Sequence, residues 1–283
     1  MDSFQEHGNL SWVYLNNGFL KDIMNTKIFA RNQIVKYHLY IDEIIFDKTE
    51  TQKLTLLYFG VLIPIETLND IETEIKNALL LLDKKKFHSK TTYKREENLI
   101  VSDKINEIII KNKLRIFCFP FVKDWLKSPR LEILKKFELP EVEKFKFDNY
   151  LSQAWLLFIH TFNSYITTIF EDNCRIRLFF DKDWIKANRM VVHEGIKLNR
   201  IAEIISTKQN DTPLLALADH VGYYFRKFKR QSRLNSNSFF LNNFYDTDYN
   251  NENCIKLFKS LVANKLFKTI DLWEWIEYEN NFK

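Results

Sequence analysis

The chain has 283 residues, 46% of them apolar and 15% aromatic, against only five glycines and five prolines. That balance excludes a disordered chain and a turn-rich sandwich or barrel, and it supplies enough apolar surface for one large α/β core. The formal charge of +5, from 42 basic and 37 acidic residues, permits contact with nucleic acid without requiring it.

Cys118, Cys174 and Cys254 are odd in number, far apart and without a C-x-x-C pair. Neither a disulfide framework nor a structural zinc site is expected, and a reducing cytoplasmic location is. Residues Met1 to His7 hold no cationic segment running into an apolar stretch, so no secretory signal is expected. The most apolar runs, Leu54 to Ile65 and Leu151 to Ile159, are too short to cross a bilayer, and the chain is expected to be soluble with no membrane contact.

Residues 1–35 carry turn signals such as Asn16-Asn17-Gly18 and lack strong periodicity, which predicts an extension laid over the core. A first strand is predicted over Lys36 to Glu43, with His38, Tyr40 and Asp42 on one face and Leu39 and Ile41 on the other. Leu54 to Ile65 is apolar nearly throughout and reads as a strand covered on both faces. Within Glu66 to Lys84, Leu68, Ile71, Ile75, Leu79 and Leu82 recur at helical spacing; Lys94 to Lys111 repeats the pattern before a β-rich run, Leu114 to Val122. A charged connection around Pro129 to Lys146 leads to a long helix over Asn149 to Phe170.

Next come a strand over Arg175 to Phe180 that ends on Asp181, a helix around Lys186 to Ile196, a short strand near Arg200 to Ser206, and a helix from Thr212 to Phe228. This alternation predicts an α/β fold with a core domain over residues 36–233. The stretch 234–253, rich in Asn, Ser, Asp and Tyr, reads as a surface loop or linker. Residues 254–283 read as a helical appendage whose Trp273 and Trp275 dock on the core or on a partner subunit, so a homo-oligomer or a protein partner is an expectation of that segment.

Three aspartates interrupt apolar elements. Asp219, with His220, stands in the otherwise apolar run Leu214 to Phe225, and Gly222 lies one helical turn from it, where a missing side chain allows close approach of a neighbouring strand or a substrate. Asp42 and Asp181 fall at the ends of predicted strands, the edge of an α/β sheet where ligands bind. A poorly solvated carboxylate needs a cation, a donor cluster or a metal. Each also has a plainer reading, a lysine partner for Asp219 and a turn or N-cap role for the other two. Carboxylates converging from two strands and a helix are what metal-assisted phosphodiester cleavage uses, with two divalent ions roughly 3.5 to 4 Å apart, and Mg²⁺ prefers such oxygen ligands.

Tyr40-Ile41-Asp42-Glu43, then Phe87-His88-Ser89-Lys90, then a strand ending in Asp181, then Ser206-Thr207-Lys208 and Leu217-Ala218-Asp219 form an ordered set. This set resembles the domain of unknown function 3800 (DUF3800) family over roughly Lys36 to Arg230. The resemblance implies an RNase H-like fold, a mixed sheet flanked by helices, and a Mg²⁺- or Mn²⁺-dependent nuclease of a bacterial defence or mobile-element system. It implies Asp42, Asp181 and Asp219 as catalytic metal ligands and His88 as the catalytic residue of the middle motif. Two departures stand out. Asp42-Glu43 is followed by Ile44-Ile45 where the family continues with Ser-Gly, and Lys86 occupies a place that is often acidic. If that acidic place is a ligand, Glu43, Asp183 or water would have to replace it. Loss of metal binding is the alternative, which would leave a catalytically silent scaffold for nucleic acid or a partner protein.

Lys90 and Lys208 belong to these motifs, and Arg226, Lys229 and Arg230 form a basic helix end interleaved with aromatics. All five are candidate nucleic-acid contacts, although cations equally suit a helix C-terminus and a solvated loop. His160 and His193-Glu194 lack metal-type spacing, and there is no G-x-S-x-G elbow or phosphate-binding glycine motif.

Overall fold

The computed structural model describes residues 34–45, 56–82, 87–121, 150–170, 174–187, 198–231 and 252–269. Strand β1 (Ile34–Ile45) pairs antiparallel with β2 (Leu56–Pro64), and β2 pairs antiparallel with β3 (Arg115–Phe121). Between β2 and β3 the chain forms α1 (Leu68–Leu79), the single-turn α2 (Ser89–Thr92) and α3 (Leu99–Lys111). Then follow α4 (Tyr150–Ile169), β4 (Cys174–Asp181), the short α5 (Lys182–Ala187), β5 (Ile201–Thr207), α6 (Leu215–Gln231), α7 (Glu252–Ala263) and β6 (Phe267–Thr269). The sheet order is β5-β4-β1-β2-β3-β6, with β1/β4, β4/β5 and β3/β6 parallel. The result is an α/β protein built on a six-stranded mixed sheet.

The sheet divides two apolar cores. Tyr40, Ile44, Phe59, Val61 and Ile63 face α1, α3, α6 and α7. Leu39, Ile41, Tyr58, Leu178 and Phe180 face α4, which supplies Trp155, Phe158 and Phe162. Central β2 is therefore apolar on both faces, as its unbroken apolar sequence predicts, whereas β4 alternates buried and half-buried residues. At Gly60, where β2 crosses β1, an added Cβ would stand 2.7 Å from Leu39 Cδ1. Gly60→Ala is expected to force that leucine aside and cost about 1–3 kcal/mol, read as a lower denaturant midpoint at unchanged slope.

Most predicted elements stand within a few residues of the observed ones; three differ. Strand β1 runs on to Ile45, because Ile44 and Ile45 continue the antiparallel ladder against Leu57 and Leu56. The helix expected around Lys186 to Ile196 begins at Lys182, directly after β4, and is described only to Ala187. The wholly helical appendage expected over 254–283 is corrected at Phe267–Thr269, a strand that extends the sheet beside β3. Leu257, Phe258, Leu261 and Phe267 are buried in the core with α6, so apolar burial makes this segment part of the main body. Residues 1–33, most of the 234–253 loop, and Trp273 and Trp275 lie outside the described residues. No helix among the described residues is long and apolar enough to cross a membrane.

Candidate functional site

The parallel ladder between β1 and β4 ends at the pair Ile41 and Phe180, one residue before Asp42 and Asp181. The next residue on each strand is thus an acid, and both acids lie where the two strands part. On β1 the side-chain alternation turns Asp42 to the same face as Tyr40 and Ile44, the face covered by α6. Helix α6 carries Asp219 near its start and Gly222 one turn later. A Cβ at Gly222 would lie 3.7 Å from Asp42 Oδ2 and 3.6 Å from Ile44 Cδ1, so the bare helix backbone accommodates the Asp42 carboxylate.

The middle motif comes to the same place over a long sequence separation. The Ser89 backbone N–H donates to Asp219 Oδ2 at 2.9 Å. His88 Nδ1 stands 3.9 Å from the same oxygen. Asp219 keeps 20% of its side chain exposed and His88 keeps 56%, so the group opens to solvent on the His88 side.

Electrostatically the cluster is strained. Burial raises the Asp42 carboxyl well above the usual carboxylate range, and the negative charges of Asp219 and Asp181 raise it further. Glu43 is raised well above its usual range by burial first and then by Asp42. Asp219 is raised by burial, an effect partly offset by the Ser89 N–H and by His88. Among the described residues no lysine or arginine forms an ion pair with Asp42 or Asp219. Glu43 Oε2 is buried with no hydrogen-bond partner among them. Such a set gains from a cation or from protons.

Asp181 is partly engaged elsewhere. Its Oδ1 accepts the Asp183 N–H at 2.7 Å, the arrangement of an N-cap for α5. Among the described residues no three His, Cys, Asp or Glu side chains stand close enough together to hold a metal ion. Asp42 is raised by the charge of Asp219 and more weakly by that of Asp181, and Asp219 by that of Asp181, so the acids act on one another electrostatically.

The basic candidates divide. Lys90 is exposed on α2, two residues from His88. Lys208 is exposed just after β5, whose Thr207 pairs with Asp181. Arg226, Lys229 and Arg230 lie two to three turns along α6 from Asp219, roughly 10 to 17 Å along the helix axis, and their side chains lie outside the described set. Lys86, at the place that is acidic in the resemblance, lies outside the described residues.

Behind Asp219 is a polar network that the motifs do not announce. His220 Nδ1 lies 2.6 Å from the Tyr93 hydroxyl and His220 Nε2 lies 2.7 Å from Asn106 Oδ1, all three residues being buried. Ser102 and Tyr224 share a hydrogen bond beside them. One signal was present in the sequence. Ser102 and Asn106 are four residues apart in Leu99 to Lys111 and so interrupt its apolar stripe on one face. No family model, curated protein or solved structure matches the chain.

Proposed function

We propose that the chain is an RNase H-like protein of the DUF3800 type that binds Mg²⁺ or Mn²⁺ and cleaves phosphodiester bonds in nucleic acid. The observation that carries this reading is the half-buried Asp42–Asp219 pair, two like-charged groups from a strand and a helix whose strain a divalent cation would relieve. The donors are oxygens only, which suits a hard cation. Mg²⁺ commonly takes one or two carboxylates and completes its shell with water and substrate phosphate, so a two-carboxylate centre matches it without a third protein ligand. When bound, such an ion supplies Lewis-acid stabilisation of charge on phosphate and lowers the pKa of a coordinated water.

The chain's own residues then have separate tasks. Asp42 and Asp219 would hold the cation, with the Ser89 N–H orienting the Asp219 carboxylate. Exposed His88 stands at the open side, where its imidazole could give or take a proton. Exposed Lys90 and Lys208 would attract the phosphate backbone. Asp181 adds negative charge at longer range while it caps α5. A sheet with β1, β4 and β5 parallel and acids where β1 and β4 part supports the RNase H-like reading.

A second reading, a catalytically silent scaffold that binds nucleic acid or a partner protein, is favoured by the capping role of Asp181 and by the absence of a three-carboxylate set among the described residues. Incubating the protein with labelled single- and double-stranded DNA and RNA, with Mn²⁺, Mg²⁺ or chelator, separates the two. The nuclease reading expects metal-dependent products that Asp219→Asn lacks. Cleavage retained in Asp219→Asn would overturn it, and no cleavage of any substrate would favour the scaffold.

A further inference from the structure

We infer that His220, through Tyr93, is a positioning residue that holds the His88–Ser89 turn against Asp219. This inference rests on the acidic-site reading for its consequence, although its geometry stands without it.

Helix α2 is a single turn, too short to keep its place by its own hydrogen bonds. Its closure is local: the Thr92 N–H donates to the His88 carbonyl at 2.8 Å and the Tyr93 N–H to the Ser89 carbonyl at 3.0 Å. Two bonds to α6 then fix it in space. At one end the Ser89 N–H meets Asp219. At the other the Tyr93 hydroxyl meets His220. Consecutive residues of α6 thus clamp both ends of the turn. Neighbouring helix positions point about 100° apart, so Asp219 can face β1 while His220 faces α3.

The hydrogen-bond chain has a direction. Asn106 Oδ1 is an acceptor, so His220 Nε2 carries the proton and donates to it. Nδ1 is then left as an acceptor for the Tyr93 hydroxyl. Burial lowers the His220 pKa to about 3, which keeps the ring neutral and this alternation intact. Tyr93 also packs edge-on against His220 and Phe87, at ring-centroid separations of 5.5 and 5.8 Å. The aromatic contacts would survive loss of the hydroxyl; the clamp would not.

The test is Tyr93→Phe in the full chain, with Ser89 amide exchange and Mn²⁺ affinity measured beside global stability. Ser89 exchange is expected to rise about tenfold, the factor matching a buried hydrogen bond of about 1.4 kcal/mol, while amides of Val221 to Tyr224 keep their protection. In Tyr93→Phe combined with His220→Leu, exchange no faster than in the worse single variant would show that the two act as one unit. An unchanged Ser89 amide in a variant that is merely less stable overturns the inference. If Ser89 exchange rises but the unsubstituted protein binds no Mn²⁺, the clamp stands and the cation reading falls.

Discussion

Asp42→Asn is expected to make the metal-free protein more stable and to abolish its Mn²⁺ binding. The Asp42 carboxyl is raised by burial and by the charges of Asp219 and Asp181, so the folded state holds its proton more tightly than the unfolded chain does. The sign follows. Below the ordinary carboxylate range both states are protonated and the fold is at its most stable with respect to this group; as pH rises through and above that range, the stability is lost. At neutral pH a carboxyl in these surroundings carries a penalty that the neutral amide does not. A gain of about 1 kcal/mol is the scale to expect. Urea denaturation in chelator at several pH values measures it: the variant should be more stable at pH 7 and should decline less steeply from acid to neutral pH. Glu43 is raised as well, so part of the slope should remain.

The same substitution should weaken Mn²⁺ binding in calorimetry by more than about 100-fold, since even an outer partner of a metal ligand is commonly worth 10- to 100-fold. Stability and cation affinity would then move in opposite directions at one residue. That is the expected mark of a group kept for binding at a cost to folding. Equal Mn²⁺ affinity in both proteins would remove Asp42 from the site, whatever its effect on stability.

Trp155→Ala should produce the largest loss of stability, about 3–5 kcal/mol. Trp155 is buried on α4 against the sheet, with ring centroids 4.5 Å from Phe180, 5.5 Å from Phe158 and 5.6 Å from Tyr58. Truncation opens a cavity between helix and sheet that rigid aromatic neighbours cannot close. Since domains are commonly stable by only about 5–15 kcal/mol, the variant should melt far below the unsubstituted protein. Trp155→Phe should cost less, because it keeps much of the ring contact and removes an indole N–H that has no partner among the described residues. If the alanine variant melts like the unsubstituted chain, the α4 layer is not packed as described.

The element types and the two-faced core are legible in local patterns of residues. Unbroken apolarity in β2 marks burial on both sides, and the helical spacing of Ile71, Ile75, Val101, Ile105 and Ile109 marks the faces of α1 and α3. Those patterns are local, because strand and helix periods are set by backbone geometry alone. The sequence also marked Asp42, Asp219 and Gly222 as oddities, since a charge or a gap in an apolar run is visible without a fold. It did not reveal that α7 leads into β6. Lys265, at φ 55°, makes the turn where a glycine would have signalled it, and three residues become a strand only because Ile116, about 150 positions earlier, offers an open edge.

The surroundings of the acids come from tertiary packing. Asp181 looked equivalent to Asp42, yet its carboxylate accepts the Asp183 N–H, because the chain turns directly into α5. Asp219 meets Ser89 across 130 positions and His220 meets Tyr93 across 127, pairings that only the packing of α2 beneath α6 can create. Mutual repulsion between Asp42 and Asp219 is likewise a property of distance and burial, and neither quantity is local in the sequence.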